Sequence, residues 1–264
     1  MNFKIGVVLI MMALLFSCKK EVGIDKEKTT EVEAQVEEEI TDPKVTEVWE
    51  PKPPVVNPKG QNGVPSDAII LFDGDNLDNW THEDGSSAQW TLNDDGSMTV
   101  KDKTGNIQTK QSFGSMQLHI EWKSPEEVQQ EGQHRANSGI FLQSLYEVQV
   151  LDNNDNDTYV NGQVGSIYKQ SIPLAKASVE TGKWNIYDII FHAPEFDAQG
   201  HVIKKATITV LHNGVLVQDH YELKGPTVYI GYPKYEAHGN APLMLQDHKD
   251  NSRVSYRNIW VREL

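Results

Sequence analysis

Residues 208–217 have the sequence ITVLHNGVLV, and this stretch decides the fold class. The pair Asn213-Gly214 separates two short runs that are rich in β-branched and apolar residues. A two-residue Asn-Gly loop favours a type I′ turn, because both central residues of that turn need a positive φ angle. The stretch therefore predicts a β-hairpin.

The same pattern of short strands recurs on both sides of this hairpin. Aromatic and β-branched residues alternate with polar ones in residues 115–122, 184–191, 206–211 and 254–261. A period of two is typical of β-strands. Long helical periodicity is absent, although residues 125–131 and 174–178 are candidates for one or two helical turns. Many short strands separated by Gly, Asn and Pro predict an all-β domain, a sandwich or jelly roll, over residues 64–264.

Residues 1–17 have the pattern of a signal peptide. Lys4 precedes an apolar run from Ile5 to Phe16, which is shorter than the roughly 20 residues that a membrane-spanning helix needs. The run ends at Ser17-Cys18 and resembles a bacterial lipobox, which implies diacylglyceryl transfer to Cys18 and cleavage before it. Because two or more acyl chains anchor a protein stably, we expect a lipid-anchored protein of the cell envelope. The alternative is an apolar helix with an incidental cysteine.

Residues 18–63 are expected to form a disordered tether, because Glu, Lys, Thr and Pro dominate them and apolar surface is scarce. A flexible chain of this length spans roughly 35–40 Å. Lys19-Lys20-Glu21 partly resembles a surface-export signal, which leaves the face of the outer membrane open. Cys18 is the only cysteine, so its lipidation would leave the domain without a disulfide, a cysteine zinc site or a cysteine nucleophile.

The formal net charge of −14 argues against nucleic acid as a partner, since phosphate binding needs basic patches. No Gly-rich phosphate loop and no internal repeat is present in the sequence. We expect a monomer that acts without an organic cofactor and whose partners are a carbohydrate and, through the lipid, a membrane.

Six motifs occur in the order seen in one protein family. They are Leu71-Phe72-Asp73-Gly74, Asn137-Ser138-Gly139-Ile140-Phe141, Tyr146-Glu147-Val148-Gln149-Val150-Leu151-Asp152, Gly182-Lys183-Trp184-Asn185, His212-Asn213-Gly214-Val215, and Leu245-Gln246-Asp247-His248 with Arg257-Asn258-Ile259-Trp260-Val261. Residues 64–264 thus resemble the 3-keto-disaccharide hydrolase family. The resemblance implies a concanavalin A-like jelly roll of two antiparallel sheets, and activity on glycosides oxidised to a ketone at sugar carbon 3.

The segment from Tyr146 to Leu151 is the central candidate for the site. Alternation puts Glu147, Gln149 and Leu151 on one face and the remaining residues on the other. A face with Glu and Gln is unfavourable inside an apolar core. We therefore expect it to line the concave side of the sandwich, where sugars bind in related folds. The alternative is an ordinary solvated strand face.

The spacing Glu147-x-Gln149-x-x-Asp152 resembles the Glu-x-Asp-x-x-Glu pattern of family-16 β-glucanases, in which one Glu is the nucleophile and the other the acid/base. Here Gln149 replaces the middle Asp and Asp152 the last Glu. These differences disfavour double displacement by two carboxylates.

A 3-keto sugar requires a base for the proton on carbon 2, an acid for the leaving oxygen and a cation or donor for the enolate. The candidate catalytic residues are Glu147 or His248 as base, with Arg135 or a metal ion at the enolate. The candidate substrate-binding residues are Asn137, Gln149, Asp152, Tyr168, Lys169, Gln246 and Glu121, the last of which alternates with His119 on another strand. For His248 and Arg135, a hydrogen-bonded or surface side chain is the alternative interpretation.

Two further patterns receive structural interpretations. Residues 152–157, with the sequence DNNDND, superficially resemble a calcium loop but lack the Gly and Glu of an EF-hand, so a turn cluster is favoured over an irregular metal site. Core packing is favoured over sugar stacking for five tryptophans, Trp80, Trp90, Trp122, Trp184 and Trp260.

The expected function is cleavage of 3-keto-glycosides by elimination, hydrolysis or both. The alternatives are a non-catalytic carbohydrate-binding lipoprotein and a retaining β-glucanase.

Overall fold

The computed structural model describes residues 41–264, and in them the chain forms fifteen short strands and four 3-10 helices. The strands are β1 (Ile69–Phe72), β2 (Trp80–His82), β3 (Thr91–Leu92), β4 (Met98–Thr99), β5 (Ile107–Phe113), β6 (Met116–Lys123), β7 (Ser138–Leu142), β8 (Tyr146–Val150), β9 (Asn185–His192), β10 (Glu195–Phe196), β11 (Val202–Lys204), β12 (Thr207–His212), β13 (Val215–Glu222), β14 (Ala241–Leu245) and β15 (Ser255–Glu263). The 3-10 helices are Pro43–Thr46, Gln61–Gly63, Gly132–His134 and Val160–Gly162.

Two antiparallel sheets form a sandwich. The larger sheet has eight strands in the order β13-β12-β9-β6-β15-β4-β3, with β1 also paired to β15. The smaller sheet has five strands in the order β2-β5-β14-β7-β8, and β10 pairs separately with β11. The predicted all-β jelly roll of two antiparallel sheets is therefore confirmed.

The core lies between the sheets because the strands alternate as their sequences predict. In β6, Met116, Leu118, Ile120 and Trp122 are fully buried, and the residues between them are partly exposed. Strand β9 repeats this pattern beside it. Burial of each large apolar side chain contributes about 1.5–3 kcal/mol.

The hairpin predicted at Asn213-Gly214 is also confirmed. His212 pairs with Val215 across the turn, and the φ angles are 52° at Asn213 and 78° at Gly214, as a type I′ turn requires. The helical turns considered for residues 125–131 and 174–178 are wrong, since neither segment is helical. One or two turns form too few hydrogen bonds to offset the cost of helix nucleation.

Contacts within the chain define a compact unit, Pro54–Leu264. The predicted signal peptide and Cys18 lie outside the described residues. Of the predicted tether, residues 54–63 belong to the compact unit, where Gly60 and Ser66 donate backbone hydrogen bonds to Val64 and Asn57. Within residues 41–264, no helix has the length and apolar character needed to cross a membrane.

Candidate active site

A cleft on the outer face of the smaller sheet collects most of the predicted site residues. Its volume is ≈ 480 Å³, within the range of about 300–1,000 Å³ that is typical of small-molecule sites. It is lined by Gln133, His134, Asn137, Phe141, Glu147, Gln149, Tyr159, Tyr168, Thr227, Tyr229, Gln246 and His248. We call it the Glu147 cleft.

Strand β8 brings Glu147 and Gln149 to this cleft because its other face, with Tyr146, Val148 and Val150, packs in the core. The alternation predicted for these five residues is confirmed. The prediction that Leu151 shares the face of Glu147 and Gln149 is wrong. Strand β8 ends at Val150, so the alternation stops there, and Leu151 is buried in the core.

Two backbone hydrogen bonds position Glu147, and a glycine on the neighbouring strand leaves space for its carboxyl group. Its N–H donates to Thr227 Oγ1 at 3.0 Å, and its carbonyl accepts from the N–H of Tyr168 at 3.3 Å. On the neighbouring strand β7, a Cβ added to Gly139 would lie 2.6 Å from Glu147 Oε1. Only glycine at that position leaves space for the carboxyl group.

The electrostatic state of Glu147 follows from its burial. The residue is only 5% exposed, and no side chain of residues 41–264 donates a hydrogen bond to its carboxyl group. Burial raises the pKa of Glu147 to about 8, because a charged carboxylate is poorly solvated there. A carboxyl group with a pKa near neutrality can exchange protons with a bound substrate.

Three amide side chains that line the same cleft have unsatisfied acceptors. Asn137 Oδ1, Gln149 Oε1 and Gln246 Oε1 are buried and have no hydrogen-bond partner among the described residues. Leaving a buried acceptor unpaired costs about 1–3 kcal/mol. The same three residues line the cleft, so their amide groups can hydrogen-bond a ligand with several hydroxyl groups once they turn towards it.

The larger sheet supports the cleft from behind. Tyr187 of β9 reaches through the core, and its hydroxyl donates to the carbonyl of Gln149 at 2.8 Å. Tyr256 of β15 donates to Ser138 Oγ at 2.7 Å, and Ser138 donates to the carbonyl of Gln246 at 2.6 Å. These buried hydrogen bonds fix the backbone of two residues that line the cleft.

Two tyrosines close one side of the cleft. The hydroxyls of Tyr159 and Tyr168 are 2.6 Å apart, and burial raises the pKa of both groups. Gly162 permits this arrangement, since a Cβ there would clash with the Tyr159 ring. Both hydroxyls stay protonated; one donates to the other, which leaves one O–H to donate a hydrogen bond to a ligand.

His248 also lines the cleft and forms a cluster with two other polar residues, His134 and Asp250. His248 Nδ1 is 2.6 Å from Asp250 Oδ2, and His134 Nδ1 is 3.1 Å from the same oxygen. Asp250 Oδ1 is buried without a partner among the described residues. One ligand atom from each of the three residues lies within 4.8 Å of the others, so this cluster could hold a divalent metal ion. Two imidazoles and a carboxylate suit a first-row transition metal.

Four predicted site residues lie elsewhere. The Arg135 guanidinium pairs with Asp152 at 3.6 Å, and the Asp152 carboxylate accepts from Thr181 Oγ1 at 2.8 Å, so both side chains stabilise a connection beside the cleft. Lys169 lies behind the tyrosine pair and donates to the carbonyl of Tyr229 at 2.7 Å. Glu121 belongs to the larger sheet, where Arg257 Nε donates to it at 2.7 Å.

Core packing agrees with the geometry for Trp80, Trp90, Trp122 and Trp260, which are buried. It is wrong for Trp184, which is partly exposed and contacts the cations of Lys123 and Arg257. In the DNNDND segment, Asn156 donates to the carbonyl of Gly132 at 3.0 Å, as expected of a turn cluster.

Several cleft residues were not predicted from the sequence. Phe141 belongs to the motif that carries the resemblance, and its alternation with Gly139 on β7 was a usable signal. His134 lies in the 3-10 helix Gly132–His134, and no sequence pattern singles it out. Thr227 and Tyr229 come from a segment without strand or motif pattern, so no local signal identifies them.

Comparisons with known proteins agree with this fold. The sequence profile described as "3-keto-alpha-glucoside-1,2-lyase-like domain" matches residues 67–262. A crystal structure of a provisionally named glycosyl hydrolase from Parabacteroides distasonis ATCC 8503 is 51% identical, with a TM-score of 0.81, and the alignment covers 84% of this chain and 97% of that one.

A second crystal structure from the same organism, also provisionally named a glycosyl hydrolase, is 17% identical with a TM-score of 0.55. That alignment covers 75% of this chain and 94% of the other, and it shows the fold alone. A comparison with the curated proteins gave no match. The profile match and the 51% identity confirm the resemblance found in the sequence motifs: the chain belongs to the 3-keto-alpha-glucoside-1,2-lyase-like domain family.

Proposed function

We propose that this carbohydrate-active domain cleaves the glycosidic bond of 3-keto-glycosides by β-elimination, and that addition of water to the product gives net hydrolysis. The observation that carries the proposal is the buried Glu147 carboxyl group with a pKa raised to about 8. It is the only carboxyl group among the residues that line the cleft. Membership of the family supports the 3-keto substrate class.

The chemistry needs a single base because the ketone at carbon 3 acidifies the proton on carbon 2. Glu147 takes that proton, and its electron pair forms a double bond between carbons 1 and 2. The bond from carbon 1 to the glycosidic oxygen breaks, and the leaving oxygen takes up a proton from the Tyr159–Tyr168 pair, which regains it from water. In the second stage, water adds its oxygen to carbon 1 and a proton to carbon 2.

The remaining cleft residues have roles that follow from their donors and acceptors. The Tyr159–Tyr168 hydroxyl pair donates to the leaving oxygen, since both groups remain protonated at neutral pH. The amide side chains of Asn137, Gln149 and Gln246 line the cleft and turn to hydrogen-bond the sugar hydroxyls. These contacts orient carbon 2 towards Glu147, which accelerates proton transfer.

We propose in addition that His134, His248 and Asp250 bind a divalent metal ion, which would supply a positive charge for the enolate oxygen. Calorimetry with Zn²⁺ and with Mn²⁺ tests the site directly. We expect one ion bound per chain, a raised melting temperature, and loss of both effects in Asp250→Asn. Undiminished binding to that variant would exclude these three ligands.

The retaining β-glucanase remains the second enzymatic candidate, but the cleft disfavours it. Double displacement needs two carboxyl groups about 5–5.5 Å apart on either side of the scissile bond. Asp152, the second carboxylate of the sequence pattern, pairs with Arg135 and Thr181 and does not line the cleft. Single-base chemistry fits this arrangement better.

One assay separates the three functions. The purified protein is incubated with a glucoside and with its 3-keto form, and products are separated by chromatography. Product from the keto form alone supports elimination. Cleavage of the unoxidised glucoside supports a glucanase, and binding without turnover supports a non-catalytic carbohydrate-binding protein.

The matched variants are Glu147→Gln and Glu236→Gln, which change one carboxyl group inside and outside the cleft. We expect Glu147→Gln to lower kcat/KM by at least about a hundredfold, a typical contribution of a general base. Glu236 is exposed, so its variant should match the parent protein. Full activity of Glu147→Gln would remove this residue from the mechanism.

We also propose that Cys18 carries the lipid anchor and that the protein works in the cell envelope. Metabolic labelling with an alkyne-bearing fatty acid should label the parent chain. Cys18→Ser should lose the label and leave the membrane fraction. A labelled Cys18→Ser chain would contradict the proposal.

A further inference from the structure

A second cleft lies against the far side of the Tyr159–Tyr168 pair, and its volume is ≈ 420 Å³. The two tyrosines line both this cleft and the Glu147 cleft. Because Lys169 and Lys224 also line it, we call it the lysine cleft. A ligand bound across the tyrosine pair would occupy both clefts at once.

Hydrogen bonds between two loops shape the lysine cleft. Gln170 Nε2 donates to the carbonyl of Gly225 at 3.0 Å, and the N–H of Lys224 donates to Gln170 Oε1 at 2.9 Å. The N–H of Lys169 donates to the carbonyl of Asn161 at 2.7 Å. Gln170 therefore ties the two loops together, and the lysines extend from a fixed backbone.

The charge of this cleft is opposite to that of the chain. The formal net charge of the chain is −14, yet no Asp or Glu is among the described residues that line the cleft. Within residues 41–264, neither Lys169 nor Lys224 forms an ion pair, whereas Lys204 and Lys205 do. Lys169 Nζ donates to the carbonyl of Tyr229 and lies 4.2 Å from the Tyr229 ring centroid, which leaves its charge unneutralised.

We propose that the lysine cleft binds the leaving group of the substrate and prefers one that carries a carboxylate. The inference rests on the proposed function, in which the sugar that loses its carbon 2 proton lies in the Glu147 cleft. The glycosidic bond then lies beside the tyrosine hydroxyls, and the leaving group occupies the lysine cleft. Tyr232, 96% exposed at its edge, offers a ring face for stacking.

Two matched substrate pairs test the preference. The first pair consists of two 3-keto-glucosyl disaccharides. Carbon 6 of the leaving sugar is a carboxylate in one and a hydroxymethyl group in the other. The second is a 3-keto-glucoside of 4-(carboxymethyl)phenol and its methyl ester. In each pair, kcat/KM for the acid is divided by kcat/KM for the neutral partner. The pairs also distinguish an acidic sugar from an aromatic acid as the source of the carboxylate.

We expect a ratio of roughly tenfold in at least one pair, as charge-assisted hydrogen bonds to two ammonium groups would give. Lys224→Gln should lower that ratio at least threefold. Lys176→Gln is the matched control, because Lys176 is exposed, lies outside the cleft and changes the net charge equally. Its ratio should equal that of the parent. Ratios near one in both pairs, or an undiminished ratio in Lys224→Gln, would overturn the proposal.

Calorimetric binding to Glu147→Gln keeps this test independent of turnover. If no 3-keto-glycoside is cleaved but the acids bind more tightly than their neutral partners, the proposed function fails and the carboxylate site stands. If the substrates are cleaved without preference, the carboxylate site fails and the proposed function stands. Absence of binding by both members of each pair also overturns the site.

Discussion

At the scale of single residues, Glu147 is the main candidate for the catalytic base because its carboxyl group is buried, unlike that of an ordinary glutamate on a strand surface. The sequence predicted its face correctly, and five other predicted site residues line the same cleft: Gln149, Asn137, Tyr168, Gln246 and His248. It could not predict the raised pKa, because desolvation depends on every element packed around the carboxyl group.

The activity of the protein should depend on the ionisation of Glu147. A base must be deprotonated, and burial raises the pKa of Glu147 to about 8. We therefore expect kcat/KM for a 3-keto-glycoside to rise about tenfold per pH unit below 8 and to level off above it. Initial rates between pH 5 and 10 measure the profile. A rate that falls over the range from pH 6 to 8 would contradict a base role.

The same group makes the stability of the fold depend on pH. Between pH 4.5 and about 8, folded Glu147 holds a proton that the unfolded chain has released, so stability falls as pH rises through this window. Each unit of pKa shift corresponds to about 1.4 kcal/mol. Urea unfolding should show that the free energy of unfolding falls less between pH 5 and pH 8 in Glu147→Gln than in the parent. Equal losses would show that burial does not raise this pKa.

Gly139 is the residue whose replacement should test the geometry of the carboxyl group. A Cβ in Gly139→Ala would meet Glu147 Oε1 and the Phe141 ring, each at 2.6 Å. We expect kcat/KM to fall about 10- to 100-fold through misplacement of the base, at a stability cost of about 1–3 kcal/mol. In the control Gly239→Ala, nothing lies within 4 Å of the added Cβ, so both properties should be unchanged. Parental activity in Gly139→Ala would show that Glu147 does not need this space.

At the scale of elements, alternation predicted the strands but not the sheet that each one joins. His119 and Glu121 alternate on β6 much as Glu147 and Gln149 do on β8, yet β6 lies in the larger sheet. There His119 pairs across the sheet with Asp188 at 2.7 Å and stacks on Trp260, with ring centroids 5.0 Å apart. The polar face of β6 thus forms a network of ion pairs and hydrogen bonds on the larger sheet, away from the Glu147 cleft.

This network should set the pH range of maximum stability. Burial alone would lower the pKa of His119, but its hydrogen bonds with Asp188 and Glu121 raise it to about 9. Burial would raise the pKa of Glu121, but interactions with His119, Asn258 and Arg257 hold it at about 2. His119 therefore contributes stability that is complete below pH 6.5 and is lost as pH rises through 9. Glu121 contributes stability that is complete above pH 4.5 and is lost as pH falls through 2.

We expect His119→Gln to lower the free energy of unfolding by about 1–3 kcal/mol at pH 6, since Asp188 and Glu121 lose their partner. The loss should shrink above pH 9. His201→Gln, which removes an exposed pair with Asp197, should cost less stability than His119→Gln does, because solvent screens that pair. Chemical unfolding at pH 6 and pH 10 measures both variants. Equal losses for His119→Gln at the two pH values would contradict the assignment.

At the scale of the whole molecule, all described residues of both clefts lie within the compact unit Pro54–Leu264. The apolar core between the two sheets and the tyrosines that cross it belong to the same unit. The chemistry proposed for the protein is therefore assigned to residues of this unit.

A chain that begins at Pro54 should fold and act like the parent. We expect the same melting temperature within about 2 °C, since a change of 1 kcal/mol shifts a domain of this size by about 2–4 °C, and the same kcat/KM. Differential scanning calorimetry and the 3-keto-glycoside assay check both. A shift of 5 °C or more would show that earlier residues stabilise the sandwich.

The sequence by itself determined the strand pattern, the Asn213-Gly214 hairpin, the face of β8 that carries Glu147, and the family. These features are local, because side-chain alternation and turn geometry depend on neighbouring residues. The tertiary structure alone separated Glu121 and Arg135 from the cleft and brought in Thr227 and Tyr229 from a distant loop. It also decided the pKa of Glu147. Strand pairing, loop closure and desolvation depend on residues far apart in the chain. A local pattern indicates which face of a strand a side chain lies on, but not which residues it contacts.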